Sequence, residues 1–356
     1  MRFIKIENCK AEMKVSRSIY GAYGVLMLNA GNTLRPRHVY ALQKLGYPGI
    51  YIDDEVSAGI DLDEAVDDKM RKEAVGIVKE MFDKAPAAKS AKSDQMYSAA
   101  FAMVEDVVDC IFDRDGTVLN VPLMKSFDDY TYQHSVNVGI LSVALGRAMN
   151  FKKSKVLDLG KAAFFHDMGK MFIPKAILNK TDKLTLEEFK IMKKHCALGL
   201  DFAKEALKQP SDICRAVLHH HEKFDGTGYP LGLSGKDIPM FSQIISISDV
   251  YDALVSSRAY KKAFSPAEGY EYIMANAGIH FDPDIVEVFT KTVAPFPVGT
   301  TVKLSNGLQA VIMRNNPSFM MRPLIRVFDI DKPGYYEYIN LANDPKALNI
   351  TIIDTV

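Results

Sequence analysis

The chain has 356 residues, 48% of them hydrophobic and 25% charged, and lysine plus arginine match aspartate plus glutamate at 44 each. That is material for one large core or two to three domains, and the balanced charge leaves no global field to draw duplex nucleic acid or an acidic membrane, so any anion site has to be local. The cysteines show no CxxC spacing, the N-terminus is broken by early charges, and the apolar run from Val136 to Gly146 is too short to span a bilayer; the expectation is a cytoplasmic protein with reduced thiols and no membrane insertion.

Residues 1–58 read as a small α/β unit. Phe3, Ile4 and Ile6 suit a strand, Tyr20 to Gly24 a turn, and Val25 to Leu28 the returning strand. A short helix starts at Pro36 and ends at Gly46 before a strand over Ile50, Tyr51 and Ile52. No cluster of ligand-type side chains occurs here, and packing or dimerisation is the expected role.

Residues 62–293 read as helical. The pattern predicts helices over Leu62–Asp83, then a loop from Ala85 to Ser93, then Asp94–Phe112 and Tyr130–Asn150, the last a long amphipathic helix carrying His134. The next helix, Ser154–Asp167, is expected to deliver His166 and Asp167 on its last turn and to stop at Gly169 in the positive-φ conformation usual past a helix end, with Lys170 following. Thr185 and Glu188 form a capping box that opens a helix carrying His195 two turns in. A helix over Asp212–Glu222 ends in His219, His220 and His221, and a tight loop follows from Asp225 to Pro230. Gln243–Ser257 is expected to be a helix with Asp249 and Asp252 on one face, followed by Arg258, Lys261 and Lys262.

All histidines except His38 and His280 fall between residues 134 and 221. Neighbours on a helix point about 100° apart, so adjacent histidines seldom both face a core for packing, whereas two imidazoles at a helix end can serve neighbouring metals. His134, His166, Asp167, His195, His220, His221 and Asp249, drawn from separate helices, supply enough borderline and hard donors for two divalent ions, and Lys170 and the later basic group suit an anionic substrate.

Residues 297–356 change pattern. Thr301 to Leu304 and Leu308 to Ile312 flank an Asn306-Gly307 turn, and further strands are expected over Leu324–Ile330, Tyr335–Ile339 and Ile350–Ile353. This is a small β domain with nothing catalytic in it. The fold class is therefore mainly α: a helical bundle between an N-terminal α/β unit and a C-terminal β domain.

The order of the motifs Tyr130 to Val138, His166 to Lys170, His220 to Pro230, Ser248 to Leu254 and Ser257 to Lys261 resembles the HD-GYP family of the all-helical HD phosphohydrolase superfamily, over roughly residues 95 to 290. The resemblance implies a metal-dependent phosphodiesterase that hydrolyses cyclic di-GMP to pGpG and onward to GMP. It implies His134, His166, Asp167, His195, His220, His221 and Asp249 as metal ligands with Asp167 bridging, and Lys170, Arg258 and Lys261 as contacts to substrate phosphate. Asp167 and Lys170 are the expected catalytic residues. Two metals are expected, iron first and manganese second, because Tyr130 stands where members with a third metal carry glutamate. A homodimer and signalling partners are further expectations. Two other readings stay open: hydrolysis of another nucleotide or a hybrid cyclic dinucleotide, and a non-catalytic scaffold that binds cyclic dinucleotides.

Overall fold

The computed structural model describes residues 1–20, 25–62, 64–84, 91–114, 118–119, 130–256, 263–329 and 334–356, and the side chains of 91–93 and Tyr130 lie outside that description. The expected turn over Tyr20 to Gly24, most of the Ala85 to Ser93 loop, and Arg258, Lys261 and Lys262 fall wholly or mainly outside it as well.

At the N-terminal end come β1 (Arg2–Lys5), β2 (Lys14–Val15), β3 (Ile19–Tyr20), β4 (Leu26–Leu28), α1 (Pro36–Lys44) and β5 (Gly49–Asp53). β5 lies between β1 and β2, antiparallel to both, while β3 pairs with β4. Ile4, Val15, Ile19, Leu42, Ile50 and Ile52 close a small core between these strands and α1. Ile6 falls in a 3-10 turn that ends the first strand.

The helical region follows as α2 (Asp68–Lys84), α3 (Ala91–Phe112), α4 (Tyr130–Ala148), α5 (Lys153–Phe164), α6 (Lys175–Leu178), α7 (Leu186–Lys193), α8 (His195–Glu205), α9 (Ser211–His219), α10 (Met240–Val255), α11 (Pro266–Ala275) and α12 (Pro283–Thr292). α4 is the axis. It was expected to be amphipathic, but residues 134–146 are all buried, Val136, Val138, Ile140, Leu141, Val143 and Leu145 among them, so this run has no polar face. It packs against α2, α5 and α10. Gly139 makes the approach of α5 possible, since a Cβ there would stand 2.4 Å from the ring of Phe164. Between α4 and α10, Ser142 Oγ donates to Ser248 Oγ at 3.1 Å.

Several expected boundaries shift. α2 starts at Asp68 rather than Leu62. α5 ends at Phe164, so His166 and Asp167 lie beyond it, in the turn before a 3-10 segment over Met168–Phe172. Gly169 is not among the positive-φ glycines. It is glycine because a Cβ would lie 1.8 Å from the carbonyl oxygen of His195, so the demand comes from a neighbouring segment and not from a helix cap. The Thr185 capping box forms, with Glu188 N donating to Thr185 Oγ1 at 3.2 Å and Thr185 N donating to Glu188 Oε2 at 2.7 Å. That helix, however, ends at Lys193, and His195 opens the next one.

At the C-terminal end β6 (Thr301–Leu304), β7 (Gln309–Arg314), β8 (Leu324–Phe328), β9 (Tyr336–Asn340) and β10 (Ile352–Thr355) form an antiparallel sheet ordered β10-β6-β7-β8-β9, with Gly307 at φ +87° in the β6–β7 turn. The two ends of the chain meet. Phe3 N donates to Gly299 O at 2.7 Å, Arg2 Nη1 to Thr301 Oγ1 at 3.2 Å, and Arg326 Nη1 to the carbonyls of Val56 and Ala58 at 2.8 and 2.7 Å. Met320, in the loop between β7 and β8, is buried in the helical core. Among the described residues no helix is long and apolar enough to cross a membrane.

Candidate metal centre

The site lies where α4, the turn after α5, the start of α8, the turn after α9 and the middle of α10 converge. Asp167 is its hub and is almost fully buried. Its Oδ2 faces His166 Nε2 at 3.4 Å and His134 Nε2 at 4.0 Å, while its Oδ1 faces His195 Nε2 at 3.6 Å and His220 Nε2 at 3.9 Å. One carboxylate thus addresses two groups of imidazoles. His134, His166 and Asp167 form one set with donor atoms close enough for a metal, and His195, Cys196, His220 and His221 form the other. Asp249 joins from α10, its Oδ1 3.0 Å from His134 Nε2 and its Oδ2 3.8 Å from His221 Nδ1.

Each of the most buried imidazoles is anchored through Nδ1, which turns Nε2 inward. His166 Nδ1 pairs with Ala163 O, His195 Nδ1 with Met192 O and His220 Nδ1 with Val217 O, all at 2.7 Å. In each case the acceptor lies three residues earlier, so a helix end or turn supplies it locally. His134 differs. Mid-helix carbonyls are already committed to the helix, and its Nδ1 pairs instead with Asp252 Oδ2 at 2.8 Å. A ring nitrogen bound in this way fixes the tautomer and makes the other a better donor to a metal.

The electrostatics of three rings fit the same reading. Burial pushes the pKa of His220 well below its ordinary value, that of His221 down to about 3 and that of His195 lower, which keeps these rings neutral as ligands must be. Burial opposes the charge on Asp167, yet Lys170 and His166 hold its carboxyl well below the usual range. For His134 burial opposes protonation, but Asp249 and Asp252 outweigh it and raise the pKa to about 9.

His166 Nε2 and Asp167 Oδ1 are buried and have no hydrogen-bond partner among the described residues. An orphaned buried polar atom costs about 1–3 kcal/mol, and a cation held between such atoms would satisfy both. The donor set of imidazoles and carboxylates therefore fits divalent transition metals. Lys170 Nζ, expected at a substrate phosphate, donates to Asp167 Oδ2 at 2.5 Å, inside the same cluster.

Sequence reasoning placed Asp252 on the same face as Asp249 without giving it a role; its position one turn on was the available signal. It missed Glu222, a buried carboxylate that accepts from Leu231 N at 2.8 Å and Leu233 N at 3.1 Å and so pins the loop after Pro230. Just before that loop, the ring of Tyr229 lies 4.8 Å from that of His221. His219 stays out of the cluster and faces Glu222 at 3.4 Å. Cys196 was also missed: its Sγ lies 3.5 Å from His195 Nε2, and burial pushes its thiol pKa up.

The model of the HD domain family matches residues 119–285, the stretch that contains the whole cluster. A protein named cyclic di-GMP phosphodiesterase from Pseudomonas aeruginosa is 35% identical over 242 residues, 67% of this chain and 58% of that one. Residues 119–285 are an HD domain. A Vibrio cholerae protein also named cyclic di-GMP phosphodiesterase is 46% identical over 137 residues, 37% of this chain and 28% of that one. A 3'3'-cGAMP-specific phosphodiesterase from the same organism is 35% identical over 159 residues, 44% of this chain and 30% of that one. The chain thus spans 28% to 58% of the length of these relatives.

Proposed function

We propose that this protein is a metal-dependent cyclic di-GMP phosphodiesterase that opens the cyclic dinucleotide to pGpG, with GMP as the further product. The observation that carries the reading is Asp167, a buried carboxylate whose two oxygens face two separate sets of imidazoles. His134, His166, Asp167, His195, His220, His221 and Asp249 would hold two divalent ions, iron first and manganese second. When bound, such ions polarise a phosphodiester and make water nucleophilic at neutral pH.

The chain's own residues orient and neutralise. Nδ1 contacts hold the rings, burial excludes bulk water, and the Lys170 ammonium offsets negative charge beside Asp167. Arg258 and Lys261, outside the described residues, would take the non-bridging phosphate oxygens, and Arg258 can do so through two hydrogen bonds at once. Tyr130, at the start of α4, argues for two metals and not three. The helical body over 62–293 would be the catalytic domain, with 1–58 and 297–356 as attached units in a cytoplasmic protein; a homodimer and signalling partners belong to the same proposal.

A hybrid cyclic dinucleotide is the second reading, favoured by the likeness to a 3'3'-cGAMP-specific enzyme. Anaerobically prepared, iron-loaded protein incubated with cyclic di-GMP, 3'3'-cGAMP and cyclic di-AMP distinguishes them. Linear pGpG formed fastest from cyclic di-GMP is expected. Faster turnover of the hybrid moves the assignment, and metal-loaded protein that binds these compounds but opens none makes it a scaffold.

A further inference from the structure

His134 owes its orientation to a line of side chains that leads out of the site. Asp252 Oδ2 holds His134 Nδ1, and Asp252 Oδ1 accepts from Asn137 Nδ2 at 3.0 Å. Asn137 Oδ1 in turn accepts from Arg71 Nη1 at 2.6 Å. Asn137 is buried and Asp252 fully so, and Arg71 reaches them from the first turn of α2. That turn is clamped to the N-terminal unit. Arg17 donates to both carboxylate oxygens of Glu64, at 2.5 and 2.7 Å, and to Asp68 at 3.1 Å.

The chemistry of the three groups makes the line directional. A guanidinium only donates and a carboxylate only accepts, whereas an amide has one face of each kind. With Arg71 on one side, the oxygen of Asn137 has to turn toward α2 and its NH2 toward Asp252. Reversed, the amide would set oxygen against oxygen at Asp252 and NH2 against guanidinium at Arg71.

We propose that Arg71 is a positioning residue for the metal centre: acting through Asn137, it fixes the Asp252 carboxylate that aims His134, and so makes α2 the place where the N-terminal unit bears on metal binding. This rests on reading the histidine cluster as a metal site.

The test compares donor-only with donor-and-acceptor replacements. Mn2+ affinity is measured on full-length protein by electron paramagnetic resonance of the free ion, alongside thermal unfolding. Arg71→Lys keeps a pure donor and should bind Mn2+ within about threefold of wild type. Arg71→Gln, which can also present an acceptor, should bind about 10- to 100-fold more weakly. Asn137→Leu should show the same loss, and adding Arg71→Gln to it should add little, because both act on one line. In chelated protein the downfield proton on His134 Nδ1 should persist in Arg71→Lys and fade in Arg71→Gln. Equal affinities and equal proton signals for Arg71→Lys and Arg71→Gln overturn the proposal. So do losses that multiply in the double variant, or wild-type affinity in Asn137→Leu. A wild-type protein that holds Mn2+ but opens no cyclic dinucleotide overturns the proposed activity and leaves this comparison standing; if no Mn2+ binds, the proton signal still decides the Arg71 contact.

Discussion

Four histidines of the cluster are aimed in two ways. His166, His195 and His220 lean on a backbone carbonyl three residues earlier, whereas His134 leans on the side chain of Asp252, which belongs to another helix. The first kind is self-contained: wherever the turn goes, ring and acceptor go together. The second depends on the packing of α4 against α10. A ligand set built from both therefore has a rigid part and one ring whose aim can be altered from elsewhere in the molecule.

The largest expected effect removes the hub on which both kinds converge. Asp167→Ala should abolish hydrolysis and stoichiometric metal binding while circular dichroism still shows the helical fold; full activity in this variant sinks the site assignment. Next comes a change that should touch neither kind. Arg258→Ala should leave metal content intact and cost about 2–4 kcal/mol in kcat/KM, and Arg258→Lys should remain impaired because lysine cannot make a two-bonded fork. Metal loss in either would make Arg258 structural, and normal kinetics would make it a surface residue.

Among the histidines, Asp252→Asn addresses His134. It removes the charge behind the ring and should weaken metal binding about 10- to 100-fold while the carbonyl-held histidines keep their geometry. Unchanged affinity, measured by chelator competition, would show that the two kinds of support are equivalent. The smallest effect is one of pH on chelated protein. The pKa of His134 is raised to about 9 from an ordinary 6.5, so its contribution is complete below 6.5 and lost as pH rises through 9. The pKa of His221 is lowered to about 3 from the same 6.5, so the fold is penalised as pH falls below 6.5. Stability from these two rings should peak near pH 6.5, with His134→Asn flattening the alkaline side and His221→Asn the acid side of a denaturant titration.

Much of the site was legible in the sequence because ligand chemistry restricts residue type, and histidines bunched between 134 and 221 have few other uses. The mainly α class was legible as well, from the helical spacing of apolar residues, although α4 reads as amphipathic and proves buried on every side over 134–146. What stayed hidden depends on contacts between segments. Gly169 reads as a helix stop until His195 O is seen against it, and the capping box at Thr185 says where a helix begins but not that it breaks before His195. Asp252 and Asn137 gain their roles only when α10 lies beside α4, and nothing around Arg71 in the chain distinguishes it from a surface arginine.

The join between the two ends of the chain bears on how the molecule is made. Thr301 Oγ1 donates to Phe3 O across 298 positions of sequence. During synthesis β1 is made 298 positions ahead of the strand that joins it here, so this seam cannot nucleate folding and has to close late. Until then the helical body must stand without it, and the N-terminal unit waits with one edge exposed, at its most vulnerable to protease in the interval before β6 arrives.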